Sequence, residues 1–268
     1  MEAMGVMDRL YSFIVIRGFK VWISYRTQVA LNLASWSLPV FIYYFIGIAL
    51  GSGAASLRGS YVAFVTVGLA FQGYFSSSIT TLAGRIRNEE LIGTLEYDIA
   101  APLNPISFMM YSSTWGLAIN SINALMTLLI GLGLGVRYHV NWVSWLLVML
   151  LYLVSIIGLN LIAGATVLIV KQGNPVALFA SVASNLLGGT VFPVTVLPKA
   201  LTDISYAIPL TWALDGFRSS MLDAASPASL IKDLVSLALL SAIYLAVGVY
   251  LTYFAFGKIM REGSVQQY

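Results

Sequence analysis

Apolar residues in this chain come in long unbroken runs rather than in alternation. No Asp, Glu, Lys or Arg occurs in 27–57, 59–84, 99–136, 138–170, 172–198 or 234–257. Each gap has room for the roughly 20 apolar residues that cross a bilayer core. Backbone groups in lipid must be satisfied internally, which leaves helices or a closed barrel. Runs such as "WLLVMLLYLV" (145–154) lack the in–out alternation of barrel strands. The pattern therefore predicts six transmembrane helices, near 29–50, 61–84, 106–134, 142–169, 175–192 and 230–256. Pro39 falls inside the first and predicts a kink there.

Three stretches break this rhythm. In residues 8–26, Arg9, Arg17, Lys20 and Ser24 share one arc of a helix, with Leu10, Ile14, Val21 and Trp22 elsewhere. That pattern predicts an interfacial helix in the headgroup layer. "RNEELIGTLEYDIAAPLNP" (87–105) is the most polar stretch, with Glu89, Glu90, Glu96 and Asp98 close together. Asn88 suits an N-cap, Glu89 and Glu90 suit the positive end of a helix dipole, and Pro102 terminates. A short stiff helix over 88–99 is expected, set tightly between the second and third spans. Residues 193–229 hold four prolines among apolar clusters and single charges. They are too broken to span and too apolar for a solvated loop. Short helices dipping back between spans five and six fit, and such segments persist only against protein or a water-filled cavity.

Composition agrees. Hydrophobic types make up 59% and charged types 9%, with a mean hydropathy of +0.87. Soluble domains carry about 25% charge. With six spans, nine Lys and Arg fall on the side of both termini: Arg9, Arg17, Lys20, Arg26, Arg85, Arg87, Lys171, Lys258 and Arg261. Five fall on the other: Arg58, Arg137, Lys199, Arg218 and Lys232. The excess predicts both termini in the cytoplasm of an inner or plasma membrane. A net charge of +3 is ordinary for basic inner loops and gives no argument for nucleic acid. The chain has no cysteine, so thiolate chemistry is excluded. Residues 1–28 carry charges throughout and lack an A-x-A site, so no cleaved signal is expected.

Candidate chemistry is sparse. There is no G-x-x-x-x-G-K-[ST] phosphate loop, no H-E-x-x-H and no G-x-S-x-G, and the single histidine, His139, sits in a loop. No enzyme activity, metal site or cofactor is expected in this chain. The spans lack charged residues away from their ends, which argues against a proton- or sodium-driven carrier. Neutral polar residues do lie at depth: Gln72, Asn120, Asn123, Asn160 and Asn185, with Ser76–Ser78, Ser181 and Ser184. They serve interhelical hydrogen bonding or line a translocation path. Gly131, Gly133, Gly135, Gly188 and Gly189 mark close helix packing or helix ends.

The acidic stretch then gains meaning from its setting: a stiff, charged projection on a protein with no power source of its own is a docking surface for a motor. "NEELIGTLEYDIAAPLNPISFMM" resembles the E-x-x-G-T-L-E-x-x-x-x-x-P stretch that follows the second span in permease subunits of type-2 ATP-binding-cassette (ABC) exporters. "FPVTVLPKALTDISYAIPLTWALDGFR" resembles that family's segment between spans five and six. The resemblance covers essentially the whole chain as a single transmembrane domain, 1–268. It implies an all-α integral membrane fold with an interfacial helix at 8–26, a coupling helix at 88–99 and a re-entrant outer segment at 193–229. It implies a cytoplasmic ABC ATPase partner in two copies, binding ATP and Mg, and a second permease chain in a homodimer or heterodimer. Contact with the ATPase would fall on Glu89, Glu90, Leu91, Gly93, Thr94, Leu95 and Glu96, with a minor contact at 171–174. The implied activity is ATP-driven export of a hydrophobic or amphipathic substrate such as a drug, lipid or lipid-linked molecule. Glycan export, and an ATP-independent channel or carrier, are the alternatives.

Overall fold

A computed structural model describes residues 19–50, 61–92, 105–170 and 184–262. Among these there is no strand. The helices are α1 (Val21–Ser24), α2 (Arg26–Leu50), α3 (Tyr61–Ile92), α4 (Pro105–Gly133), α5 (Trp142–Val170), α6 (Lys199–Tyr206), α7 (Pro209–Leu222) and α8 (Ile231–Glu262), with a 3-10 turn at Val194–Val196. Five are long and apolar enough to cross a membrane: α2, α3, α4, α5 and α8. They fall where the first, second, third, fourth and sixth spans are expected. Residues 175–183 of the expected fifth span lie outside the described residues, as do the 171–174 turn, residues 8–18 of the interfacial helix and 93–99 of the coupling helix. Residues 184–187 form one helical turn that ends in the bend of 188–192.

The helix ends differ from the expectation in one respect. Asn88 is no N-cap: α3 is helical without a break from Tyr61 to Ile92. No proline or glycine pair stands between Gly84 and Ile92 to interrupt it, so the carbonyls before Asn88 keep their own helical partners. Glu89, Glu90 and Leu91 are thus the last turn of a span rather than the first turn of a new helix. Pro39 does lie within a continuous α2.

The bundle is held at two levels. A large apolar cluster joins Phe71, Tyr74 and Phe75 of α3, Val148, Tyr152 and Ile156 of α5, and Leu210, Leu214 and Phe217 of α7. A smaller one at the opposite end joins Met109, Leu161, Ala165, Ala255 and Phe256. Helices α5 and α8 meet backbone to backbone. A Cβ on Gly158 would lie 2.5 Å from the Tyr244 carbonyl carbon, and one on Gly248 would lie 2.6 Å from the Gly158 oxygen. Small residues permit this approach where lipid supplies no hydrophobic drive between helices. The Ser155 and Ser241 hydroxyls pair across the same seam at 2.7 Å. Helix α1 is tied to the bundle by Trp22, whose ring packs 6.4 Å from both Trp36 of α2 and Trp115 of α4.

Candidate functional site

Residues 193–222 form a cap seated on one end of the bundle. Pro209 opens α7 after the extended Ile208, because proline fixes φ and brings no amide that the first helical turn would leave unpaired. Pro198 is the extended residue just before α6, and its carbonyl accepts from the Leu201 and Thr202 amides. Thr211 Oγ1 donates to the Ser205 carbonyl at 2.7 Å, and Trp212 Nε1 donates to the Tyr206 carbonyl at 2.8 Å. These bonds fix the corner between the two helices. The carboxyl end of α7 is closed by the loop before α5. His139 N–H donates to the Met221 carbonyl and Asn141 N–H to the Ser220 carbonyl, both at 2.8 Å. Eleven of the fourteen residues of α7 are buried, so this helix is enclosed by protein rather than laid on the surface.

Two neighbouring residues of α7 face α3. The Phe217 ring stacks on Phe71 with centroids 3.7 Å apart, and Arg218 lies over the Phe64 ring with its guanidinium carbon 3.4 Å from the centroid. Arg218 is 1% exposed and is the largest fully buried side chain described. Its Nε donates to the Phe64 carbonyl at 3.2 Å. Its Nη2 donates to the carbonyls of Gly189 at 2.8 Å and Thr190 at 3.0 Å. Asp215, one turn earlier, lies 3.9 Å from Nη1. A buried charge is tolerable only when hydrogen-bonded and compensated, and here three carbonyls, a ring face and a carboxylate do so.

Gly68 makes the contact possible. A Cβ there would overlap the Thr190 carbonyl oxygen and come 2.8 Å from Arg218 Nη2. Gly189, at φ +73°, turns the chain so that both carbonyls reach the guanidinium. Above Arg218 lies a cavity of about 310 Å³ lined by Phe64, Gly188, Val194, Tyr206, Thr211 and Asp215 among others.

The polar residues proposed for a path are not all in one place. Asn120 and Asn123 come together at Gly73 of α3, where a Cβ would lie 2.8 Å from Asn120 Oδ1 and 2.9 Å from Asn123 Nδ2. Asn120 Nδ2 donates to the Gly116 carbonyl at 2.7 Å, and Thr127 Oγ1 donates to Asn123 Oδ1 at 3.3 Å. Tyr74 adds a donor to Ser121 Oγ at 2.8 Å on the same α3–α4 seam. Gln72 is half-buried beside them in sequence, Asn160 is buried in α5, and Asn185 is exposed on the 184–187 turn. Of the coupling candidates, Glu89, Glu90 and Leu91 lie on the last turn of α3; Gly93, Thr94, Leu95 and Glu96 lie outside the described residues.

The Arg218 seat is what reading the sequence missed: there Arg218 is one of five loop cations and the last residue of the stretch that resembles the family's segment between spans five and six, with no buried role expected for it. Its signal was an arginine alone in a proline-rich apolar segment that follows a Gly-Gly pair. Residues 10–222 match the family model described as ABC-2 type transporter. No protein of curated function matches the chain.

Proposed function

Since the chain belongs to the ABC-2 type transporter family, the permease subunits of type-2 ABC transporters, we propose that it forms the membrane path of an ATP-driven exporter for hydrophobic or amphipathic molecules. Two cytoplasmic ABC ATPases, which bind ATP and Mg, drive it, and a second permease chain completes the path. The observation that carries this reading is the length of α3. Its apolar window closes at Thr80, yet the helix continues to Ile92. Those twelve residues extend it by about 18 Å at 1.5 Å per residue. The extension ends in Glu89, Glu90 and Leu91, a mixed charged and apolar tip suited to a cleft in a motor subunit. With Gly93, Thr94, Leu95 and Glu96 it forms the coupling element.

The burial of Arg218 supports an orientation as well. Arg218 is buried and bound to carbonyls, so it is not a solvated loop charge. The loop cations then stand nine against four in favour of both termini in the cytoplasm. On this reading the α6–α7 cap lies on the far face, as an exit gate. Movement of the motors rocks the spans as rigid elements, and the gate opens outward. The α3–α4 seam offers Asn, Ser and Tyr and no charge, which suits an amphipathic cargo.

The test is reconstitution with the ATPase partner, with Glu89→Lys and Glu96→Lys. Both variants are expected to insert normally and to hydrolyse ATP while ATP-dependent efflux of a fluorescent short-chain lipid or an amphipathic dye falls to background. Efflux at the wild-type rate in both would refute the motor contact. Solute movement by the chain alone without ATP would establish a channel instead.

A further inference from the structure

We infer that Arg218 is a positioning residue that fastens the gate helix α7 to the second spanning helix α3, so that displacement of α3 is delivered directly to the gate. The inference rests on the export reading for its purpose, but the fastening itself stands on geometry. Three bonds leave one guanidinium for two separate parts of the chain: the Phe64 carbonyl of α3, and the Gly189 and Thr190 carbonyls before the cap. A carbonyl oxygen has two lone pairs, so Phe64 accepts from Arg218 while keeping its helical bond. The planar fork of arginine, with donors in fixed directions, can serve both parts at once, whereas a lysine ammonium offers one point of charge.

The α3 face is shaped for this purpose. Phe64, Gly68 and Phe71 recur at four and three residues and so lie on one stripe of the helix. Phe64 supplies a ring under the guanidinium, Gly68 supplies the gap, and Phe71 supplies the stacking face for Phe217. Helix α3 then runs unbroken from this socket to the Glu89–Glu90 tip. At 1.5 Å per residue the two are about 40 Å apart on one rod. Packed side chains of this kind switch between discrete arrangements rather than deform, so the seat moves with the rod or lets go as a unit.

Amide hydrogen exchange on the full chain in lipid nanodiscs tests the fastening without any partner. In Arg218→Gln, amides of 209–222 should exchange at least tenfold faster, with those of 142–170 and 231–258 unchanged. Arg218→Lys should behave like Arg218→Gln, because the charge is kept and the fork is lost. Gly68→Ala, which obstructs the seat from the α3 side, should reproduce the pattern if Arg218→Gln proves too unstable to purify. Unchanged exchange in 209–222, or equal acceleration everywhere, would overturn the fastening. In the complex with the ATPase, trapping with ATP and vanadate should alter exchange in both 61–80 and 209–222 of the unmodified chain. In Arg218→Lys the response of 61–80 should persist and that of 209–222 should vanish. A persisting response at 209–222 would mean the gate is moved by another route. If neither segment of the unmodified chain responds, the motor reading and the transmission fall together, while the partner-free result still decides the fastening.

Discussion

Helices α2 and α3 look alike as strings of letters. Their spanning windows have mean hydropathies of 1.5 and 1.3, and each is twenty residues or more. In the fold they are opposites. The α3 window is 72% buried within the protein and the α2 window 6%. Hydropathy reports whether a segment tolerates lipid; it does not report whether lipid or protein will be its neighbour. What separates them is the placement of small residues. Helix α3 carries Gly68 and Gly73 where the cap and α4 press against its backbone, and its aromatics point into the core. Helix α2 turns Leu31, Leu38, Ile42, Phe45 and Ile48 outward.

Aromatic truncation gives the largest contrast. Phe71 is buried and stacked on Phe217, while Phe45 is 64% exposed. Phe71→Ala should cost about 3 kcal/mol, nearly all of it lost packing and cavity, because the unfolded helix in lipid keeps its apolar surroundings. Phe45→Ala should change stability by less than about 0.5 kcal/mol. Unfolding of the two variants in mixed micelles by denaturing detergent measures both. A loss of similar size at Phe45 would show that α2 is covered by something other than lipid.

Glycine substitution comes next. At Gly68 a Cβ overlaps a backbone carbonyl, which can move only by shifting the 188–192 turn. At Gly47 of α2 it meets side-chain atoms of Val62 and Tyr61 at 3.1 and 3.2 Å, and these can rotate away. Gly68→Ala is expected to destabilise by about 2 kcal/mol, within the usual range for overpacking. Gly47→Ala should be neutral or slightly stabilising, since alanine is the better helix former. Thermal aggregation midpoints of the purified proteins separate the cases; a neutral Gly68→Ala would mean that the cap sits loosely on α3.

These contrasts also mark what the sequence alone discloses. Charge-free runs locate the starts of α2, α3, α4, α5 and α8 to within three residues, because the cost of a charge in lipid is large and local. Helices α3 and α8 run eight and six residues past their expected ends, where the helix continues through charged residues. The prolines at 193, 198 and 209 announce short helices with equal clarity, because they act through the backbone of their own turn. Long-range partners are another matter. Arg218 reaches Phe64 across 154 positions, and nothing in either neighbourhood names the other. Asn120 and Asn123 are legible as polar residues at depth, while Gly73, the residue of α3 that both approach, carries no polar mark. The Asn88 cap failed for a different reason: a capping residue is a preference of helix starts, and here the preceding helix had not ended.

The smallest effect tests whether average burial is the right measure at all. The α8 window is only 17% buried, nearer to α2 than to α3, yet α8 meets α5 backbone to backbone at Gly158 and Gly248. Ser241 lies in that contact: its hydroxyl is 2.6 Å from the Leu237 carbonyl of its own helix and 2.9 Å from the Leu151 carbonyl of α5, and it pairs across the seam with Ser155 Oγ at 2.7 Å. Ser35 of α2 donates only to the Asn32 carbonyl of its own helix, at 2.8 Å. An interhelical hydrogen bond in lipid contributes about 0.6 kcal/mol on average. Ser241→Ala should therefore lower stability by about that amount, and Ser155→Ala in the same background should add little, because the two hydroxyls act as one unit. Ser35→Ala should have no measurable effect, since its bond is local and its carbonyl keeps a helical partner. Detergent-unfolding midpoints of the wild type, Ser155→Ala, Ser241→Ala and the double variant give the cycle, with Ser35→Ala measured beside them. Equal effects at Ser35 and Ser241 would mean that a helix's contacts cannot be told from its exposed face, and the distinction drawn between α2 and α3 would lose its physical basis.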